Sequence, residues 1–156
     1  VLLNGALSQI KLQTSERGLA RHFRIGPANR AYDDPSYEYS YEAFSGVGLR
    51  PYAPVHLKAI PDGSGGVALS WFRRTRIDGD SWNALDVPLG EDTEQYLVQV
   101  ISSGAVVREI TTNTPNWGYS SSQMTSDGIS GPFTVQVAQI STRFGPGLFK
   151  RITINE

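Results

Sequence analysis

The chain has 156 residues, no cysteine and a formal net charge of -1. The absence of cysteine excludes disulfide frameworks and thiolate metal sites, and the chain lacks the basic excess of a nucleic-acid-binding domain. No apolar run approaches the length of a membrane span, so neither a nucleic-acid partner nor membrane insertion is expected. The chain opens on Val1, and its first residues look like the middle of something longer, so we expect a fragment of a larger polypeptide.

Residues 1–50 are predicted to form a β-rich extension, either a strap or the end of a preceding domain. Short apolar and polar runs predict strands at residues 5–12 and 22–25. The Gly-Pro-Ala-Asn-Arg segment 26–30 has turn chemistry, because glycine and proline set unusual or fixed φ angles. A flexible linker would be richer in glycine and serine and poorer in aromatic residues, so a packed segment is expected.

Alternating tyrosines stand out in the second half of this extension. Tyr37, Tyr39 and Tyr41 are separated by Glu38 and Ser40, which predicts a strand with one aromatic face. The spacing from Tyr37 to Tyr41 also fits one turn of helix, so a helix is the alternative at this point.

Residues 51–156 are predicted to fold as an all-β, antiparallel sandwich. Short runs alternate between apolar and polar residues, and turn signals such as residues 61–66 and 145–147 separate them. No helical pattern longer than two turns interrupts the series. The residues expected to share apolar faces on their strands are Val55, Leu57, Ala59, Val67, Leu69, Trp71, Tyr96, Val98, Val100, Val106, Ile110, Trp117, Tyr119, Val135, Val137, Ile152 and Ile154.

One connection in this series, residues 73–94, is unusually long. Long loops in compact domains are often functional or interaction surfaces. Two interpretations stay open: an ionic network that ties the loop to the sandwich, or docking onto a neighbouring subunit. Because an exposed ion pair contributes only about 0–1 kcal/mol, docking would need several pairs together. The charged residues concerned are Arg73, Arg74, Arg76, Asp78 and Asp80.

The second part of the chain resembles a fibronectin type III module. Trp71, Tyr96 and Tyr119 lie on successive predicted strands, and the Val-Gln-Val-Ala run at residues 135–138 follows them. This resemblance covers about two-thirds of the chain and implies a β-sandwich that presents its loops for binding.

A second resemblance runs from near the start of the chain to its end. Five segments together resemble the C-terminal part of the large tail-tip protein of gene transfer agents and related siphophages of alphaproteobacteria. The resemblance implies the distal part of a tail-tip or baseplate protein that is trimeric at the tip. It also implies an upstream region with a glycoside-hydrolase-like barrel, and it places no catalytic motif within these residues. The matching segments are residues 21–27, 32–37, 48–54, 70–82 and 137–141.

The residues predict an interaction surface and no catalytic, cofactor-binding or metal-ligating residue. Residues 78–81 offer oxygen ligands around a glycine, but the further carboxylates of an EF-hand are missing. The adjacent acids at 33–34 and 91–92 are more typical of caps than of a glycosidase pair about 5–10 Å apart across a cleft. His22 and His56 are expected to be structural. The candidate surface comprises Arg73, Arg74, Arg76, Asp78, Asp80, Trp82, Tyr37, Tyr39 and Tyr41.

Two functions follow from these patterns. The first is a structural and interaction module at the distal end of a phage-like tail tip, assembled in the bacterial cytoplasm and carried on the particle. Its expected partners are other tail-tip or baseplate subunits, sister copies in a homotrimer, and a host-surface glycan. The second is a carbohydrate-binding accessory module of an upstream cell-wall glycoside hydrolase. Neither requires a cofactor or makes this fragment an enzyme.

Overall fold

The computed structural model describes residues 11–79 and 87–155. The chain divides into two compact units, residues 1–47 and 48–156. Two short 3-10 turns lie at Thr14–Glu16 and Val47–Leu49. Among the described residues, no helix is long and apolar enough to cross a membrane.

The first unit contains an antiparallel hairpin of two strands, β1 (Ala20–Ile25) and β2 (Glu38–Ala43). Their register runs from Ala20 opposite Ala43 to Ile25 opposite Glu38. The predicted strand at 22–25 is confirmed as part of β1. Tyr39 and Tyr41 lie on β2 while Tyr37 precedes it, so the helical alternative is wrong. Residues 5–10 of the other predicted strand lie outside the described residues.

The described part of the second unit, residues 48–79 and 87–155, contains eight strands and one short helix. Two-residue alternation explains the longer strands, and a serine N-cap begins the helix, where Ser120 Oγ accepts from the Gln123 amide at 3.3 Å. The elements are β3 (Val55–Pro61), β4 (Val67–Phe72), β5 (Tyr96–Ser102), β6 (Ala105–Thr112), β7 (Asn116–Tyr119), α1 (Ser121–Ser126), β8 (Phe133–Ser141), β9 (Gly145–Pro146) and β10 (Lys150–Ile154).

These strands form two antiparallel sheets. One has the order β3-β4-β7, and the other has the order β10-β8-β5-β6, with β9 pairing β8. Three strands against four in this order is the arrangement of a fibronectin type III sandwich, in which long connections cross between the sheets. The fold is therefore an all-β, fibronectin type III-like sandwich with an N-terminal β-rich extension.

The core lies between the two sheets. Val67, Leu69 and Trp71 of β4 are buried, whereas the residues between them are exposed. Trp71 meets Tyr96 of the opposite sheet edge-on, with ring centroids 5.3 Å apart, a favoured aromatic geometry. The predicted inward faces of β4, β5 and β8 are thus confirmed.

Val106 is a correction to the predicted core. It is 51% exposed, whereas Val107 and Ile110 pack against the core. The register explains the difference: Val100 pairs with Arg108 and Ile101 with Val106, which leaves Val107 as an extra residue on β6. This β-bulge interrupts the two-residue alternation, so a pattern read from Ile110 assigns Val106 to the wrong face.

Candidate interaction surfaces

The β1–β2 hairpin gathers aromatic and cationic side chains on one face. Residues directly opposite each other in an antiparallel pair project to the same side of the sheet. The register places His22 opposite Tyr41 and Arg24 opposite Tyr39. All four therefore share one face, which we call the tyrosine face together with Tyr32 of the connecting loop.

The rings of the tyrosine face contact one another and the side chains beside them. His22 stacks on Tyr39 with centroids 5.8 Å apart and lies 6.4 Å from Tyr41. The His22 Nδ1 and the Tyr39 hydroxyl are 2.5 Å apart, a hydrogen bond that fixes both rings. Arg24 places its guanidinium 5.0 Å from the centre of the Tyr32 ring, within the range of a cation–π contact.

These rings are open to solvent. Tyr32, Tyr39 and Tyr41 are 67%, 61% and 65% exposed. None of the described residues of the first unit, 11–47, is buried. A two-stranded hairpin on its own is marginally stable in water. Large aromatic side chains that are this exposed are more typical of a binding surface than of a core.

Tyr37 has a different role from the other tyrosines of the predicted surface. It is half-buried, its hydroxyl donates to the Pro27 carbonyl at 3.0 Å, and its ring lies 5.7 Å from that of Tyr32. A side chain at Gly26 would sit 2.5 Å from the Tyr37 ring, so glycine is needed there. The ring of Tyr37 therefore packs against the ring of Tyr32 and supports it.

Sequence reasoning identified Tyr39 and Tyr41 but missed His22 and Arg24 as their partners. The signal that could have identified His22 and Arg24 was their two-residue spacing on the predicted strand at residues 22–25, which places them on one face. The register that brings the two strands together is set by the long loop 26–37, and its geometry could not be read from the residues.

A groove lies beside β1. Two of its lining residues, Arg21 and Phe23, alternate with His22 and Arg24 along the strand and therefore project from the face of the hairpin opposite the tyrosine face. The volume of the groove is about 310 Å³, at the small end of ligand-binding cavities. Its lining includes the apolar residues Leu12 and Phe23 and an ion pair between Arg21 and Glu16. The lining residues are Lys11, Leu12, Glu16, Arg21, His22 and Phe23.

In the long loop, the arginines pair within the loop itself. Arg73 Nη2 donates to the Val87 carbonyl at 2.9 Å, and its Nη1 lies 3.5 Å from Glu94. Arg76 Nη2 lies 3.4 Å from Glu91. Both arginines therefore tie the two limbs of the loop together, with Glu91 and Glu94 as partners rather than the aspartates that follow them in sequence.

The other charged residues of the loop are more exposed. Arg74 stacks its guanidinium 4.8 Å from the centre of the Tyr52 ring. Asp78 is exposed, with a positive φ of 48°. Asp80 and Trp82 lie outside the described residues, and so does half of the 78–81 segment with its oxygen ligands. Within residues 11–79 and 87–155, no three acidic or histidine side chains cluster as a metal site would require.

The Arg76–Glu91 pair is expected to contribute little to stability despite its partial burial. A double-mutant cycle of Arg76→Ala and Glu91→Ala should give a coupling of about 0.5–1 kcal/mol. Urea unfolding of the four proteins measures it. A coupling free energy several times larger would show that the Arg76–Glu91 pair is a major contributor to the stability of the fold.

A polar cluster outside the predicted surface joins β6, β7 and the end of α1. Arg108 Nε and Nη2 donate to the two carboxylate oxygens of Asp127 at 2.6 and 2.8 Å, and the Tyr119 hydroxyl donates to the same carboxylate at 2.6 Å. The Arg108 hydrogen bond holds the pKa of Asp127 below its usual range. Burial, and then its bond to Asp127, raise the pKa of Tyr119.

The adjacent acids hold turns and ion pairs. Asp34 Oδ1 accepts from the Ser36 hydroxyl and amide at 2.7 and 2.9 Å, which lowers the pKa of Asp34. Asp92 accepts from the Thr142 hydroxyl at 2.8 Å, and Glu91 pairs with Arg76. These contacts are those of caps and ion pairs.

No protein-family model matches the chain, and no curated protein matches it. The second unit is fibronectin type III-like. Among solved structures, domains d3–d4 of the rat CD45 extracellular region are 10% identical, with TM-score 0.49, over 100% of this chain and 74% of that one. FN3tt is 13% identical, with TM-score 0.44, over 67% and 92%.

A third similar structure is the Clostridium perfringens spore cortex lytic enzyme SleM. It is 11% identical, with TM-score 0.44, over 78% of this chain and 33% of that one. At such identities and TM-scores these likenesses carry no information on function, and the assignment of the fold rests on strand order and packing.

Proposed function

We propose that this chain is a structural and interaction module at the distal end of a phage-like tail tip, where it helps to assemble the baseplate and contacts the host surface. The tail-tip resemblance of five segments motivates the location. The observation that supports an interaction role is the contrast between the two units. The sandwich buries its own core, whereas the described part of the first unit buries no residue and exposes Tyr32, Tyr39 and Tyr41.

In this proposal the partners are sister copies in a homotrimer, other tail-tip subunits and a host-surface glycan. The particle is assembled in the bacterial cytoplasm and released with the chain on its tail. Large exposed aromatic side chains suit contacts with such partners, because tyrosine is enriched where proteins bind one another.

Location on the particle tests this proposal directly. Gold-labelled antibody fragments against residues 48–156 should mark the distal end of the tail in particles from a bacterium that encodes the chain. Mass measurement of the isolated tip should give three copies. Label on the head, or label absent from intact particles, would refute the tail-tip role, and another copy number would refute the trimer.

The alternative is a carbohydrate-binding module serving an upstream cell-wall glycoside hydrolase. The exposed rings of the tyrosine face favour it, because flat aromatic surfaces accommodate the apolar faces of sugars. It predicts that the purified chain sediments with insoluble cell walls from which protein has been removed, and that particles carry no label.

A further inference from the structure

We propose that the tyrosine face is a binding site for a glycan that carries carboxylate groups. This inference rests on the host contact of the proposed function and specifies its ligand. The site consists of His22, Arg24, Tyr32, Tyr39 and Tyr41.

The spacing of the rings suits a chain of sugars. Tyr39 and Tyr41 are two residues apart on one strand, so their side chains leave the sheet about 6.8 Å apart. That is comparable with the length of one pyranose unit, so successive sugars can each lie on a ring. The His22–Tyr39 hydrogen bond and the Arg24–Tyr32 contact hold the rings before any ligand arrives, which reduces the entropy lost on binding.

The distribution of charge selects an acidic ligand. Glu38 and Glu42 of β2 pair with Ile25 and Arg21 and therefore project from the opposite face of the hairpin. The tyrosine face carries Arg24 instead. A guanidinium stacked on an aromatic ring keeps its N–H groups free at the edge, and its planar fork matches a carboxylate in two parallel hydrogen bonds.

Single-stranded nucleic acid is the main competitor, because bases also stack on aromatic rings. Proteins that bind such ligands combine aromatic rings with a positively charged groove that follows the nucleic-acid backbone. Arg24 is the one arginine or lysine that the register of β1 and β2 places on this face, so the strands provide no such groove, whereas a glycan stacked on the tyrosines needs only one carboxylate contact.

Calorimetry on the full chain with three probes tests the proposal: tetragalacturonate, neutral cellotetraose and a four-residue oligothymidylate. Tetragalacturonate should bind at least about 10-fold more tightly than cellotetraose, as expected for one charge-assisted contact. Arg24→Ala should weaken tetragalacturonate by about 10-fold and leave cellotetraose unchanged. Tyr39→Ala with Tyr41→Ala should weaken both by about 10-fold or more.

The chain offers a matched control, because Arg74 on Tyr52 is a second arginine–tyrosine stack and belongs to the second unit. Arg74→Ala should bind tetragalacturonate as the wild type does, and circular dichroism should show that every variant is folded. Equal binding of the two sugars, tighter binding of the oligothymidylate, an equal loss in Arg74→Ala, or no binding at about 1 mM would each overturn the inference. None of these outcomes affects the gold label at the tail tip, so the two proposals fail separately.

Discussion

Replacing Trp71 with alanine is expected to destabilise the sandwich by about 4 kcal/mol. Trp71 is 2% exposed and contacts Tyr96 across the two sheets. Truncation removes the apolar surface of the indole and leaves a cavity between close-packed strands, and such changes cost about 3–5 kcal/mol. Urea unfolding followed by far-ultraviolet circular dichroism measures the loss.

Trp71→Phe separates packing from polarity. Among the described residues, the buried Nε1–H of Trp71 has no hydrogen-bond partner, and an unsatisfied buried donor is itself unfavourable. Phenylalanine removes that donor and keeps an aromatic ring against Tyr96. We expect Trp71→Phe to cost less than half of what alanine costs. Equal losses of unfolding free energy in the two variants would contradict this account, because they would mean that the aromatic ring of phenylalanine restores none of the packing.

Asp127→Asn is expected to destabilise the second unit by about 2–3 kcal/mol at pH 7. The change removes the charge that holds Arg108 and Tyr119 and leaves a guanidinium that is only 24% exposed without its partner. The exposed pair of Asp92 and Arg143, whose side chains are 56% and 73% exposed, supplies the control. Asp92→Asn should cost less than about 1 kcal/mol.

The pH dependence has a definite sign. Because Arg108 lowers the pKa of Asp127 in the folded state, the carboxylate stabilises the fold fully above its unfolded pKa of about 3.9. That stability is lost as the pH falls through the lower folded value. The wild type should therefore lose its advantage over Asp127→Asn below about pH 4. An advantage that is constant from pH 7 to pH 2 would contradict this account of the cluster.

The sandwich was predictable because the alternation of apolar and polar residues along each strand identifies its buried face. Burial on one side of a strand demands an apolar residue at every second position, and Val67, Leu69 and Trp71 show this directly. Alternation fails where the backbone departs from regular pairing. The bulge at Val107 is such a place, and the alternating pattern therefore assigned Val106 to the wrong face. The bulge depends on the pairing of β5 with β6, which is a long-range property that no local pattern records.

The candidate site was only half predictable for a related reason. The spacing of Tyr39 and Tyr41 predicts an aromatic face on their own strand. Their partners His22 and Arg24 lie on another strand, and the register between the two strands determines that all four share a face. Likewise, Arg73 and Arg76 lie beside aspartates in sequence yet pair with Glu94 and Glu91, because the loop folds back on itself. The polar cluster of Arg108, Tyr119 and Asp127 had no sequence signal at all.

The extra residue at Val107 also bears on how copies of the chain tolerate crowding. β6 is the outer strand of its sheet, and a long, flat outer strand is a template for edge-to-edge aggregation. A bulge increases the local twist and interrupts the hydrogen-bonding ladder, and Arg108 and Glu109 place charges on the same strand. These features oppose the polymerisation of the protein into fibres through this edge, and they matter most where the local concentration of the chain is high.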